Sequence, residues 1–281
     1  MWLRATRHRV GLPWWALAFQ GMCFDNDSAP PIPPISGAAV SHEDLVLEAG
    51  DGNRFAAFAA SPDEPNRAGV VVLPDVRGLY HFYEELALRF AERGYNAVAI
   101  DYFGRTAGVS KREDDFEFMP HVDQTTQEGI QSDVAAAVAC LRSPDGGSAR
   151  AVYTIGFCFG GRHSWLATAG GHGLAGAIGF YGRPGPGRDG SPGPLQRARD
   201  LRGPILGLMG GDDPSIPVED VTALDEALDA AGVEHEIVIY PRAPHSFFDR
   251  KHEEFAAESE DAWRRVLGFL ERHAAAPASS L

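Results

Sequence analysis

The chain of 281 residues has little cysteine, a deficit of basic charge and no long apolar run, and each shortage excludes a class of protein. Three cysteines, Cys23, Cys140 and Cys158, cannot build the even framework of a disulfide-stapled mini-protein. Free thiols suit a reducing compartment, so a cytoplasmic location is expected. Lys and Arg total 25 against 39 Asp and Glu, a formal net charge of −14. A field of that sign repels phosphate, which argues against nucleic acid or an anionic membrane surface as partner. No stretch of about 18 uninterrupted apolar residues is present to cross a bilayer as a helix. The histidines lack metal-ligand spacing and no HExxH occurs, so neither a metal nor another cofactor is expected.

What is present fits a globular enzyme. Hydrophobic residues make up 44% and charged residues 23%, and the length allows one large core without internal repeats. Arg4, Arg7 and Arg9 precede the apolar run Val10–Phe19, with Ala16-Leu17-Ala18 behind, the outline of a signal peptide. Pro13 and two tryptophans sit badly in so short an apolar region, and Met22 offers an alternative start. Residues 1–21 therefore read as a signal-like or unstructured extension. Residues 22–40 form a Pro-rich arm, with Ala29–Ile35 expected in polyproline II on the domain surface. Residues 41–275 are expected to be one domain and 276–281 a tail.

That domain alternates strand and helix. Leu45–Leu47 and Arg54–Ala60 flank the Asp51-Gly52 turn as an antiparallel pair. Continuous apolar runs at Val70–Leu73, Ala97–Ile100, Val152–Ile155, Ala177–Tyr181 and Ile205–Met209 predict strands buried on both faces, and Glu236–Tyr240 predicts the last strand. Between them, helical stripes run through Tyr83–Ala91, Ile130–Leu141, a segment from Phe159, a helix with Pro217 in its first turn, and Trp263–Leu270. Such β-then-α units build a mostly parallel sheet with helices on both faces. The loops 104–123 and 182–200 are long for a compact domain and are candidates for substrate contacts.

Gly156-Phe157-Cys158-Phe159-Gly160-Gly161 lies between a buried strand and a helix. A sharp strand-to-helix turn strains its middle residue and points that side chain out of the sheet. The positive end of the helix favours negative charge on the sulfur, and the Phe159 N–H is placed to hold a developing oxyanion. Hydrolases with this elbow carry nucleophile, acid and histidine in that chain order at strand ends. Here Asp212 and Asp213 follow one strand and His245 follows the next, so His245 is the candidate base and either aspartate its partner.

Over roughly residues 40–272 the chain resembles the dienelactone hydrolase family. The residues that carry the likeness are Leu73-Pro74-Asp75-Val76-Arg77-Gly78, Asp101-Tyr102-Phe103-Gly104-Arg105, the Cys158 elbow, Gly210-Gly211-Asp212-Asp213 and Pro244-His245-Ser246-Phe247. The resemblance implies the α/β-hydrolase fold and hydrolysis of a small ester or enol-lactone, one bearing a carboxylate. It implies a triad of Cys158, Asp213 and His245, with Val76 as second oxyanion donor beside Phe159. Asp75 falls where the family keeps a carboxylate beside the thiol, and Arg105 where it grips the substrate's carboxylate. Asp249 stands at the family's second such arginine and Arg250 follows one later, so that contact is either shifted or missing. A thioesterase with the same triad, and a non-catalytic binding or redox-sensing protein, are the alternatives. The expected partner is a small molecule, and the expected assembly a monomer or small homo-oligomer.

Overall fold

The structure is a computed structural model that describes residues 28–112, 115–249 and 251–274. The 1–21 extension, Cys23, Arg250 and the 276–281 tail lie outside the described residues. The arm is described from residue 28. Residues 28–39 stay outside the strands while residue 40 already opens the first one; the arm buries Pro30 and Ile32, with Pro30–Pro34 lying beside Glu85 and Arg89.

Strands β1 (Val40–Glu48) and β2 (Arg54–Pro62) pair antiparallel in full register. Their turn closes through Ala49 N–H to Asn53 O, 2.8 Å, and Gly52 supplies the positive φ of +82° that it requires. β3 (Ala68–Leu73), β4 (Asn96–Ile100), β5 (Ala151–Phe157), β6 (Gly176–Phe180) and β7 (Ile205–Gly210) are buried along their whole length. β8 (His235–Tyr240) closes the far edge half-buried. The order is β1-β2-β4-β3-β5-β6-β7-β8, with β2 antiparallel to both neighbours and the six strands from β4 to β8 parallel. This is the α/β-hydrolase architecture.

Continuous apolar strands are needed because the sheet carries helices on both faces. The helices are α1 (His81–Ala91), the short α2 (Gly104–Ala107) and α3 (Met119–Val122), α4 (Gln127–Arg142), α5 (Phe159–Ala167), α6 (Val218–Ala231) and α7 (Ala256–His273). Along β3, Val70 and Val72 enter one core with Leu86 and Phe90 of α1, Leu224 of α6 and Val266 of α7. Val71 and Leu73 enter the other, with Ile130, Val134 and Leu141 of α4. The two-residue alternation thus divides one apolar run between two cores. Two expectations shift. Pro217 stands one residue before α6 as its cap, with ψ of 142°, rather than in the first turn. The 104–123 segment is not bare loop: it holds α2 and α3, which shortens the irregular chain that has to be anchored.

Candidate active site

The parallel strands end on one edge, and the site is built from the turns that leave it. Cys158 links β5 to α5 with φ 54° and ψ −111°, a conformation that costs a non-glycine residue about 1–3 kcal/mol. Surrounding contacts impose it. The Cys158 N–H donates to Phe180 O at 3.0 Å, and Cys158 O accepts the Arg162 N–H at 3.3 Å. Two glycines make the turn possible: a Cβ on Gly156 would collide with the Gly160 carbonyl, and one on Gly160 with the carbonyls of Leu73 and Pro74. The sulfur is free, half-buried and borders a cavity of about 410 Å³.

His245 borders the same cavity from the turn after β8. Its Nδ1 lies 2.6 Å from Asp213 Oδ2, and the other oxygen of Asp213 accepts the Ser215 N–H at 2.8 Å and its hydroxyl at 2.6 Å. Of the two candidate acids, Asp213 is buried and paired, whereas Asp212 is exposed and uses its N–H in the turn to Ala243 O. Burial pushes the Asp213 carboxyl up, but the His245 and Ser215 hydrogen bonds outweigh it and hold it below the ordinary aspartate range. Burial likewise disfavours a charged His245, yet its neighbours Cys158 and Asp213 raise its proton affinity well above the usual histidine value. Nε2 of His245 is buried with no hydrogen-bond partner among the described residues. That combination favours a protonated imidazole at His245. Val76 and Phe159 also line the cavity, and neither N–H has a backbone acceptor among the described residues.

The family profile of dienelactone hydrolases matches residues 55–274. The chain belongs to the dienelactone hydrolase family. A protein of Escherichia coli strain K12 assigned as a carboxymethylenebutenolidase is 32% identical, the match covering 87% of this chain and 94% of that one. The carboxymethylenebutenolidase of Rhodococcus opacus is 29% identical over 90% and 97% of the two chains. A crystal structure from Klebsiella pneumoniae, assigned as a dienelactone hydrolase, superimposes with a TM-score of 0.72 at 27% identity, covering 83% of this chain and 99% of the other. The chain is thus a hydrolase of the dienelactone hydrolase family.

Two expected binding residues of this family member point elsewhere. Arg105 does not line the cavity. Its guanidinium is spent on Asp51 and Asp133, each 2.7 Å away, because Asp133 is fully buried and needs a cation. Asp75 does not line the cavity either: Oδ1 accepts the Arg77 N–H at 2.8 Å, and Oδ2 lies 3.3 Å from the Arg77 guanidinium. Asp249, at the family's arginine position, is buried and accepts the Tyr181 hydroxyl at 2.8 Å, and the Tyr181 ring packs against His245 with centroids 4.9 Å apart.

Sequence reasoning missed Arg162, His163, Tyr181, Arg183 and Arg188, all of which line the cavity. A signal existed for two. Arg162 stands four residues after Cys158, on the same face of α5. Tyr181 follows Phe180, which pairs with Phe157 in register, so it must neighbour Cys158. The long loop 182–200 supplies Arg183, Arg188 and Ser191 to the wall, and Val122 and Asp123 come from the end of the 104–123 segment. Away from the cavity, His235 lies 3.1 Å from Asp225, with Asp229 beside them. The spacing in sequence had not revealed this triplet.

Proposed function

We propose that the protein hydrolyses a small ester or lactone through a Cys158–His245–Asp213 triad. The observation that carries the reading is the sulfur on a strained elbow, at the N-terminus of α5, sharing a small cavity with an imidazole already held by a buried carboxylate. The raised proton affinity of His245, supported by Asp213, suits a base that takes the proton of the Cys158 thiol and later returns it to the leaving group.

The chemistry is acyl transfer to water. The thiolate attacks the carbonyl carbon, and the π-electron pair moves to oxygen, where the N–H groups of Phe159 and Val76 stabilise it. Collapse of that intermediate breaks the ester C–O bond, and His245 gives its proton to the leaving alkoxide. The result is a thioester on Cys158. Water then attacks the thioester, His245 takes the water's proton, and the C–S bond breaks to release the acid and restore the thiolate. Asp213 holds the ring orientation and offsets the charge on the imidazole throughout. For a lactone, alcohol and acid stay in one product. Membership of an ester-cleaving family and the cavity size both support a small substrate.

Intact-mass measurement during turnover of a slow aryl ester tests this. The expected result is one added acyl mass, mapped to the peptide containing Cys158 and absent from Cys158→Ala. Turnover with no adduct, together with undiminished activity in Cys158→Ala, would overturn the triad.

A further inference from the structure

Three arginines meet two carboxylates at the cavity wall of a chain whose net charge is −14. Their individual bonds leave one of them uncommitted. Arg188 lies 3.2 Å from Asp123, across the cavity from its own loop. Arg162 is buried and gives its guanidinium to two carbonyls of the 182–200 loop, Gly185 O and Pro192 O, so it pins that loop to α5. Asp189 is turned onto its own loop, accepting the Ser191 N–H at 3.0 Å. Arg183 remains: it is exposed, borders the cavity, and has no ion-pair or hydrogen-bond partner among the described residues. Its charge is close enough to work against that of Arg162, whose guanidinium burial already pushes down to about 10, while Asp189 only partly offsets the two.

We infer that Arg183 is the specificity residue that receives a carboxylate carried by the substrate, in place of the inward-turned Arg105. A guanidinium fork facing a partly enclosed cavity matches a carboxylate with two parallel hydrogen bonds, and the second positive charge at Arg162 strengthens the field without leaving the loop. Arg183 also sits two residues beyond Tyr181, at the end of the strand beside the nucleophile's own, so a small molecule can span sulfur and guanidinium at once.

This inference rests on the ester-hydrolase reading, and the experiment separates the two. kcat/KM is measured for the 4-nitrophenyl hemiester of glutaric acid and for neutral 4-nitrophenyl butyrate, in wild type, Arg183→Gln and Arg183→Lys. Arg183→Gln is expected to lower the hemiester-to-butyrate ratio at least about ten-fold, the loss of roughly one charge-assisted hydrogen bond. The loss should fall far more heavily on the hemiester than on butyrate, with Arg183→Lys intermediate. A ratio that stays within two-fold overturns the assignment and leaves the hydrolase reading intact. If wild type cleaves neither ester, that reading fails, and glutarate binding by calorimetry decides the arginine: equal affinity in wild type and Arg183→Gln overturns it, ten-fold weaker binding in the variant upholds it.

Discussion

After β5 and β8 the side chains of Cys158 and His245 border the cavity, with Asp213 after β7 behind the imidazole, whereas after β3 and β4 the side chains of Asp75, Asp101 and Arg105 turn into the fold. Asp213 holds His245 and Ser215, while Nε2 of His245 has no hydrogen-bond partner among the described residues and the Cys158 thiol is free. Asp75, Asp101 and Arg105 are committed to partners within the fold. Asp101 is fully buried, pairs with Arg112 at 2.7 Å, and accepts the N–H groups of Leu79 and Phe103. Motif residues of one family therefore serve two purposes. On the proposed reading those at the later strand ends carry the chemistry, and those at the earlier ends fix the loops that shape the pocket.

The sharpest way to break the comparison is to remove one residue from each group. Cys158→Ala is expected to lower kcat/KM for a small ester roughly 10⁴-fold or more, about 5 kcal/mol of transition-state stabilisation. Its melting temperature should hold, because the mutated side chain faces the cavity. Asp213→Asn should cost about 10²–10⁴-fold, since the amide leaves the imidazole in the wrong tautomer, while Asp212→Asn leaves turnover unchanged. Equal losses in the two aspartate variants would remove the basis for choosing between them.

Arg105→Gln should do the reverse. It leaves Asp133 buried with only the Asn53 amide at 2.9 Å, and the expected cost is about 2 kcal/mol in urea unfolding. Its hemiester-to-butyrate ratio should stay within two-fold of wild type. A selective loss of hemiester turnover would return Arg105 to the substrate and dissolve the contrast.

The contrast also explains what was legible beforehand. Strand order along the chain, the elbow and the positions of Asp213 and His245 follow from local rules: apolar runs, glycines at a tight turn, and strand ends. The direction in which Arg105 points does not, because it depends on Asp51 and Asp133, respectively 54 and 28 residues away, whose burial only the packed fold decides. Arg183 was equally hidden. Its loop has no periodicity, and its importance lies in the absence of a partner, a property of the folded surroundings alone.

A last expected effect concerns His163, which lines the cavity beside Arg162. Its Nδ1 has no hydrogen-bond partner among the described residues, and burial first, then the Arg162 charge, push its pKa down to about 3. An unfolded histidine takes up its proton near 6.5, so as pH falls below that value the unfolded chain gains a proton that the folded one refuses. The resulting loss of stability grows from pH 6.5 down to about 3 and is absent above pH 7. Between pH 6 and pH 4 it should reach about 2 kcal/mol. His163→Gln removes the titration, so its urea midpoint should fall less over that interval than the wild-type midpoint does. The carboxylates that titrate in both proteins cancel from the difference. Parallel curves would mean that water or a proton reaches the imidazole in the native state, and that this wall of the cavity is as open as the Arg183 side.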